Sequence, residues 1–204
     1  SARNIGTGSA TRTANCRAAG IPAAYDYVYS SSLEILSGGN PNLKEEFSDS
    51  LTIGAVVQPS FIPGLSLSVD YFNIKVNDVI TAPTAQQIVN ACYDAVDLNN
   101  QFCGLFSRAG AGGAASGEEA FRILEGSLQQ TTLNYALYKA RGIDFELGYR
   151  RDLGNIGTLA TKMVYTHMFQ RDNFLNPADP GRADQILFEL GDPQNSFNWD
   201  VSLK

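Results

Sequence analysis

The chain has 204 residues, 44% hydrophobic and 18% charged, with 15 basic against 21 acidic side chains and a formal net charge of −6. That length fits one domain or a piece of a larger one, and an acidic balance without clustered Lys and Arg argues against nucleic-acid binding. No window of about 18 apolar residues is present, which excludes a membrane helix but not a β-barrel, whose strands are short and only half apolar.

The first forty residues are rich in Gly, Ser, Ala and Thr and lack a sustained period, so they read as loop with at most one strand. A short aromatic patch, Tyr25, Tyr27, Val28 and Tyr29, is a candidate ligand contact, with local packing the equal alternative. Strand patterns begin with Leu51, Ile53, Ala55 and Val57, and the two prolines of residues 59–64 predict a turn. The next strand carries Leu65, Leu67, Val69 and Tyr71 on one face and Ser66, Ser68 and Asp70 on the other. Its phase then flips to Phe72, Ile74 and Val76, which predicts a bulge or an exit from the layer.

Residues 78–126 form a long insertion, with a short helix predicted over 86–95 from Ile88, Val89, Cys92 and Val96, and a flexible run over 109–117. Alternation resumes at residue 127 and is clearest at Ile143, Phe145, Leu147 and Tyr149 against Asp144, Glu146, Gly148 and Arg150. After a compact turn at 151–157, Leu159, Met163 and Tyr165 oppose Ala160, Lys162 and Thr166. A second polar connection, 171–195, contains three prolines, and Phe197, Trp199, Val201 and Leu203 then alternate with polar residues up to Lys204. The chain starts at Ser1 without an initiator Met and stops inside a strand-like pattern, so either end is expected to be an imposed boundary.

Three cysteines leave at least one unpaired within the chain. Cys92 and Cys103 lie in a loop-like stretch with no His nearby. Zinc needs about four ligands, so a disulfide closing that loop is the better reading, and it implies an oxidising compartment.

Long and short connections alternate along the chain, and each apolar strand face ends near an aromatic, namely Tyr71, Tyr149, Tyr165 or Trp199. Up-and-down strands with short turns at one end, long loops at the other, one apolar face and interfacial aromatics describe an all-β antiparallel meander forming part of a large transmembrane barrel. Closure needs about eight strands, so the five predicted here are either a fragment of such a wall or serve another purpose.

At residues 38–48, Gly-Gly-Asn-Pro-Asn-Leu-Lys-Glu-Glu-Phe-Ser, the chain resembles the Gly-Asn-Pro-x-Leu-x-Pro-Glu-x-Ser pattern of TonB-dependent outer-membrane receptors, with Glu45 where the family usually has Pro. Residues 50–54 and 62–74 follow as they do in that family, and Gly142, Ile143, Asp144, Phe145, Glu146 and Leu147 resemble its Gly-(Ile/Leu/Val)-(Asp/Glu)-x-Glu-Leu strand. The resemblance covers most of residues 36–204. It implies a piece from the C-terminal half of a barrel of about 22 strands, in the outer membrane of a Gram-negative cell, with a lumen filled by an N-terminal plug. It also implies import of a scarce nutrient such as an iron-siderophore complex, cobalamin or a glycan, with TonB engaging an N-terminal segment.

On that reading residues 1–47, 78–126 and 171–195 are extracellular loops, 48–77 and 127–170 are strand hairpins, and 196–204 is a further strand. Leu65, Leu67, Val69, Ile143, Phe145, Leu147, Val201 and Leu203 are expected to face lipid, whereas Asp70, Asp144, Glu146, Arg150 and Lys162 are expected to face the lumen. No catalytic, cofactor-binding or metal-ligating set is expected. Asp144 and Glu146 are a commonplace pair on one strand, and His167, the one histidine, lacks a Gly-x-Ser-x-Gly elbow to serve. Gly110, Ala111, Gly112 and Gly113 lack the Lys of a phosphate loop, and Asp94, Asp97, Asn99 and Asn100 do not match the spacing of a calcium loop. The rival readings are a soluble β-sandwich that binds a ligand such as carbohydrate and, behind it, a β-rich hydrolase.

Overall fold

The structure, a computed structural model, describes residues 9–25 and 32–204. Tyr27, Val28 and Tyr29 of the predicted aromatic patch lie outside the described residues. The chain divides into two units, a sheet unit of Phe47–Asn77, Leu137–Asn173 and Ala183–Lys204 and a loop unit of Ser1–Glu46, Asp78–Ala136 and Phe174–Arg182.

The sheet unit is built from strands β2 (Phe47–Val57), β3 (Leu65–Thr81), β5 (Leu133–Asp152), β6 (Thr158–Phe174), β7 (Asp184–Gln185) and β8 (Asn195–Leu203), of which β3 and β5 run on into the loop unit. They are ordered β2-β3-β5-β6-β7, with β8 also on β6. β7 pairs with β6 at Asp172 and Asn173, and β8 pairs with it from Leu159 to His167, so the two short strands follow one another along a single edge.

The pairing of β2 with β3 runs without a break from Phe47↔Asn77 to Val57↔Leu67. This corrects the expected bulge at Tyr71: the polarity of the strand reverses there while its backbone continues straight. The predicted turns are present. Gly64 has a φ of +88° and sits so close to β5 that a Cβ would lie 1.9 Å from the Arg150 carbonyl oxygen. Only glycine meets both demands, and Arg150 N–H donates to Gly64 O at 2.9 Å.

In the loop unit, helices α1 (Ala10–Ala18) and α2 (Ala85–Asp94) and the short strands β1 (Ile35–Gly38) and β4 (Leu128–Thr131) surround a small core. Helix α1 corrects the expectation of loop in that segment. Its apolar content is low, and what fixes it is local, with Ser9 capping the Arg12 N–H and Gly20 following it at a φ of +78°. Helix α2 matches its prediction and opens with a capping box between Thr84 and Gln87. Val96, expected on its buried face, lies beyond the helix end and is 95% exposed.

β1 and β4 pair in parallel, a long-range match that alternation within residues 127–170 did not distinguish from a hairpin strand. The run 109–117, expected to be flexible, is tied by backbone bonds such as Ala109 N–H to Arg122 O and Ala114 N–H to Glu118 O. The connection expected from residue 171 is also shorter than predicted, because β6 continues to Phe174.

Candidate functional surfaces

The two faces of the sheet can be assigned by residue parity. Cross-strand partners share a side, which places Val57 with Leu67, Ala55 with Val69, Ile53 with Tyr71, Met163 with Trp199 and Tyr165 with Phe197. Phe145 meets Tyr165 with ring centroids 6.0 Å apart, and Glu146 meets Lys162, so odd residues of β5 and β6 lie on one side and even residues on the other. β3 joins the same scheme, because a Cβ at Gly142 would strike the Phe72 ring at 2.7 Å and the Met168 sulfur at 3.1 Å.

The odd face carries an apolar band. Leu67, Val69, Phe145, Val201 and Leu203 are exposed on it, and Leu65, Ile143 and Leu147 are half-buried by their neighbours on the same face. All eight residues expected to face lipid therefore lie on one side. Tyr71 and Tyr165 stand toward the long-connection end of that band, and Tyr149 stands toward the turn end. Beyond the band the odd residues of β6 are His167, Phe169 and Arg171, with the His167 and Phe169 rings 5.0 Å apart. Tyr165 O–H donates to Asn195 Oδ1 at 2.7 Å, and His167 Nδ1 lies 2.7 Å from the same oxygen. The histidine is thus engaged by Asn195 and by the Phe169 ring.

The even face gathers the residues expected in the lumen. Lys162 Nζ lies 3.1 Å from Glu146 Oε1, and Thr166 O–H donates to Asp144 at 2.6 Å. Asp70 lies over Gly54, where a Cβ would come within 1.9 Å of its Oδ1. Arg150 is exposed near the turn end, apart from that cluster. Part of the charge on this surface is thus held in the pairs Lys162 with Glu146 and Thr166 with Asp144.

The loop unit has a buried core of its own. Cys92 and Cys103 form the predicted disulfide, and Cys16 is a free thiol buried in the core with Ile88 and Phe102. Arg12 forms an ion pair with Asp94 that joins the two helices, and the Asn15 side chain donates to the carbonyls of Tyr93 and Ala95. The hydrogen bond that Arg12 donates to Asp94 raises the Arg12 pKa, while burial raises those of Cys16 and Tyr93. Tyr93 is held by Arg108, whose Nε donates to its hydroxyl at 2.7 Å.

Asp97 and Asn100 serve the loop backbone. Asp97 accepts from the Asn99 N–H, and Asn100 donates to the carbonyls of Cys92 and Asp97. Among the described residues no cluster of His, Cys, Asp and Glu is arranged to hold a metal. The family-like Asn40 also has a structural role that its turn chemistry alone did not reveal. Its amide donates to Thr132 O at 3.0 Å, while Asn134 bonds both the N–H and the carbonyl of Lys44. These amides border a depression of about 860 Å³, lined also by Gln101, Gln129 and Thr131.

Among the described residues no helix is long and apolar enough to cross a membrane. No curated protein matches the chain. The family profile described as TonB dependent receptor-like, beta-barrel matches residues 8–203. The chain therefore belongs to the TonB-dependent receptor β-barrel family, whose members are outer-membrane receptors and transporters.

Proposed function

We propose that this chain contributes wall strands and external loops to a receptor that imports a scarce nutrient of the iron-siderophore, cobalamin or glycan class. The observation carrying this reading is the exposed apolar band on one face of the sheet, backed by a polar, ion-paired opposite face. An apolar face left uncovered in water favours aggregation, whereas hydrocarbon solvates it, and in hydrocarbon strands satisfy their backbone only within a closed sheet.

On this proposal Leu65, Leu67, Val69, Ile143, Phe145, Leu147, Val201 and Leu203 face lipid. Asp70, Asp144, Glu146, Arg150 and Lys162 line the lumen and meet the plug or the passing ligand. The loop segments 1–47, 78–126 and 171–195 lie outside the cell, where the Cys92–Cys103 disulfide is chemically stable. TonB delivers energy through an N-terminal segment of the complete receptor.

The test is uptake by cells expressing the complete receptor, with labelled ferric siderophore, cobalamin and oligosaccharide offered separately, with and without TonB. Accumulation of one class that disappears without TonB is expected. Recovery of the receptor in the water-soluble fraction, or no TonB-dependent accumulation of any class, overturns the proposal.

A further inference from the structure

The depression of about 860 Å³ lies within the loop unit and combines two kinds of surface. Leu36, Leu105 and Leu133 supply apolar lining, while Gln101 and Gln129 are exposed on it with amide groups that both donate and accept. Its volume falls in the range of about 300–1,000 Å³ typical of small-ligand sites.

Two opposite charges also line it. Lys44 and Asp78 both border the depression, and both are exposed. The Asn134 side chain ties their backbones together. Its Oδ1 accepts from the Lys44 N–H at 2.9 Å, and its Nδ2 donates to Lys44 O at 2.9 Å and to Asp78 O at 2.8 Å. Asp78 is held at a φ of +53°, a left-handed conformation uncommon for a residue other than glycine. One amide group thus separates the two backbones, yet no ion pair joins the side chains. Among the described residues neither the Lys44 ammonium nor the Asp78 carboxylate has a partner of its own. Opposite charges held this close and left unpaired are available to a ligand.

We propose that this depression binds a short peptide with free termini. A neutral ligand would take water from both charges without pairing either, and a net anion would pair with Lys44 while facing Asp78. A molecule with one carboxylate and one ammonium group satisfies both. Between those groups, peptide amides match the Gln101 and Gln129 side chains, and apolar side chains match the leucines. This inference rests on the placement of the loop unit outside the cell and goes beyond the three nutrient classes named above.

The experiment measures binding to the complete receptor in detergent by isothermal titration calorimetry, with trileucine as the probe and its N-acetylated and C-amidated forms as controls. Trileucine is expected to bind, and each cap to weaken it about tenfold to a hundredfold, the range for losing a hydrogen bond to a charged group. Lys44→Gln is expected to weaken trileucine as amidation does and to remove the effect of amidation. Asp78→Asn is expected to do the same for acetylation. Glu45→Gln, next to Lys44 in sequence but outside the depression, is expected to retain wild-type binding. Gel migration with and without heating reports barrel assembly in each variant.

No binding of trileucine by the wild type, equal binding of its free and capped forms, or full sensitivity to the caps in both assembled variants overturns the site. TonB-dependent uptake of a nutrient by the same receptor then leaves the proposed function standing, whereas recovery of the receptor in the water-soluble fraction overturns both.

Discussion

In the loop unit Ile88, Ala91 and Cys92 are 2% exposed or less, whereas in the sheet unit Ile53, Phe197 and Trp199 stand at 63%, 62% and 63%. The loop unit buries apolar side chains among themselves, closes with a disulfide and satisfies its charges in pairs such as Arg12 with Asp94. Along the sheet unit's apolar band the same kinds of side chain are turned outward, which on the proposed function is toward hydrocarbon. Burial within the chain therefore measures fitness only in the first region. In the second, what matters is which face each residue occupies.

The largest effect that sharpens this contrast is expected in the loop unit. Ile88 is fully buried, so Ile88→Ala should cost about 2–5 kcal/mol through lost transfer energy and a cavity. Hydrogen exchange should show the loss in α2 and its neighbours, with protection of β5 and β6 retained. In the sheet unit, Phe145→Arg places a charge on the apolar band and should cost about 2–4 kcal/mol in lipid if the position is near mid-bilayer. Folding titrations in vesicles read this directly, and an unchanged stability would remove the band from hydrocarbon.

A third, smaller difference is expected at alkaline pH. Burial raises Tyr93 above its ordinary value of 10.0 and Cys16 above 9.0. A raised folded-state pKa gives a contribution that is complete below the unfolded value and is lost as pH rises through the folded one. The loop unit should accordingly lose hydrogen-exchange protection above about pH 9, with Cys16→Ala and Tyr93→Phe each removing part of the slope. A loss of the same size in both variants and the wild type would assign the effect to other groups.

The smallest effect is expected at the exposed Lys162–Glu146 pair, 56% and 45% exposed. A double-mutant cycle there should give about 0.2–1 kcal/mol, as for other solvent-exposed ion pairs. A larger coupling would mean that this face is drier in the complete barrel than the exposed pair implies.

Several parts of this architecture were legible because the physics that forms them is local or periodic. Alternation placed Ile143, Phe145 and Leu147 on one face, since strand side chains repeat every second residue. The prolines and Gly64 marked the turn between β2 and β3, and the helical spacing of Ile88 and Cys92 marked α2. Helix α1 escaped because its apolar residues form no stripe, although Ser9 ahead of an Ala-rich run and Gly20 behind it were usable signals. The polarity reversal at Tyr71 predicts either a bulge or an exit from the layer, and the unbroken register excludes the bulge. A continuous strand that changes surroundings along its length produces the same pattern, and only register distinguishes the two.

Order along the chain thus determined the strands, the apolar face, the family resemblance and the disulfide, because each depends on spacing between nearby residues. Tertiary structure alone decided the parallel pairing of β1 with β4, the clamp of Asn134 on Lys44 and the pairing of Arg12 with Asp94. Those features join residues far apart in sequence, and their partners become known only when strand register and loop packing bring them within reach.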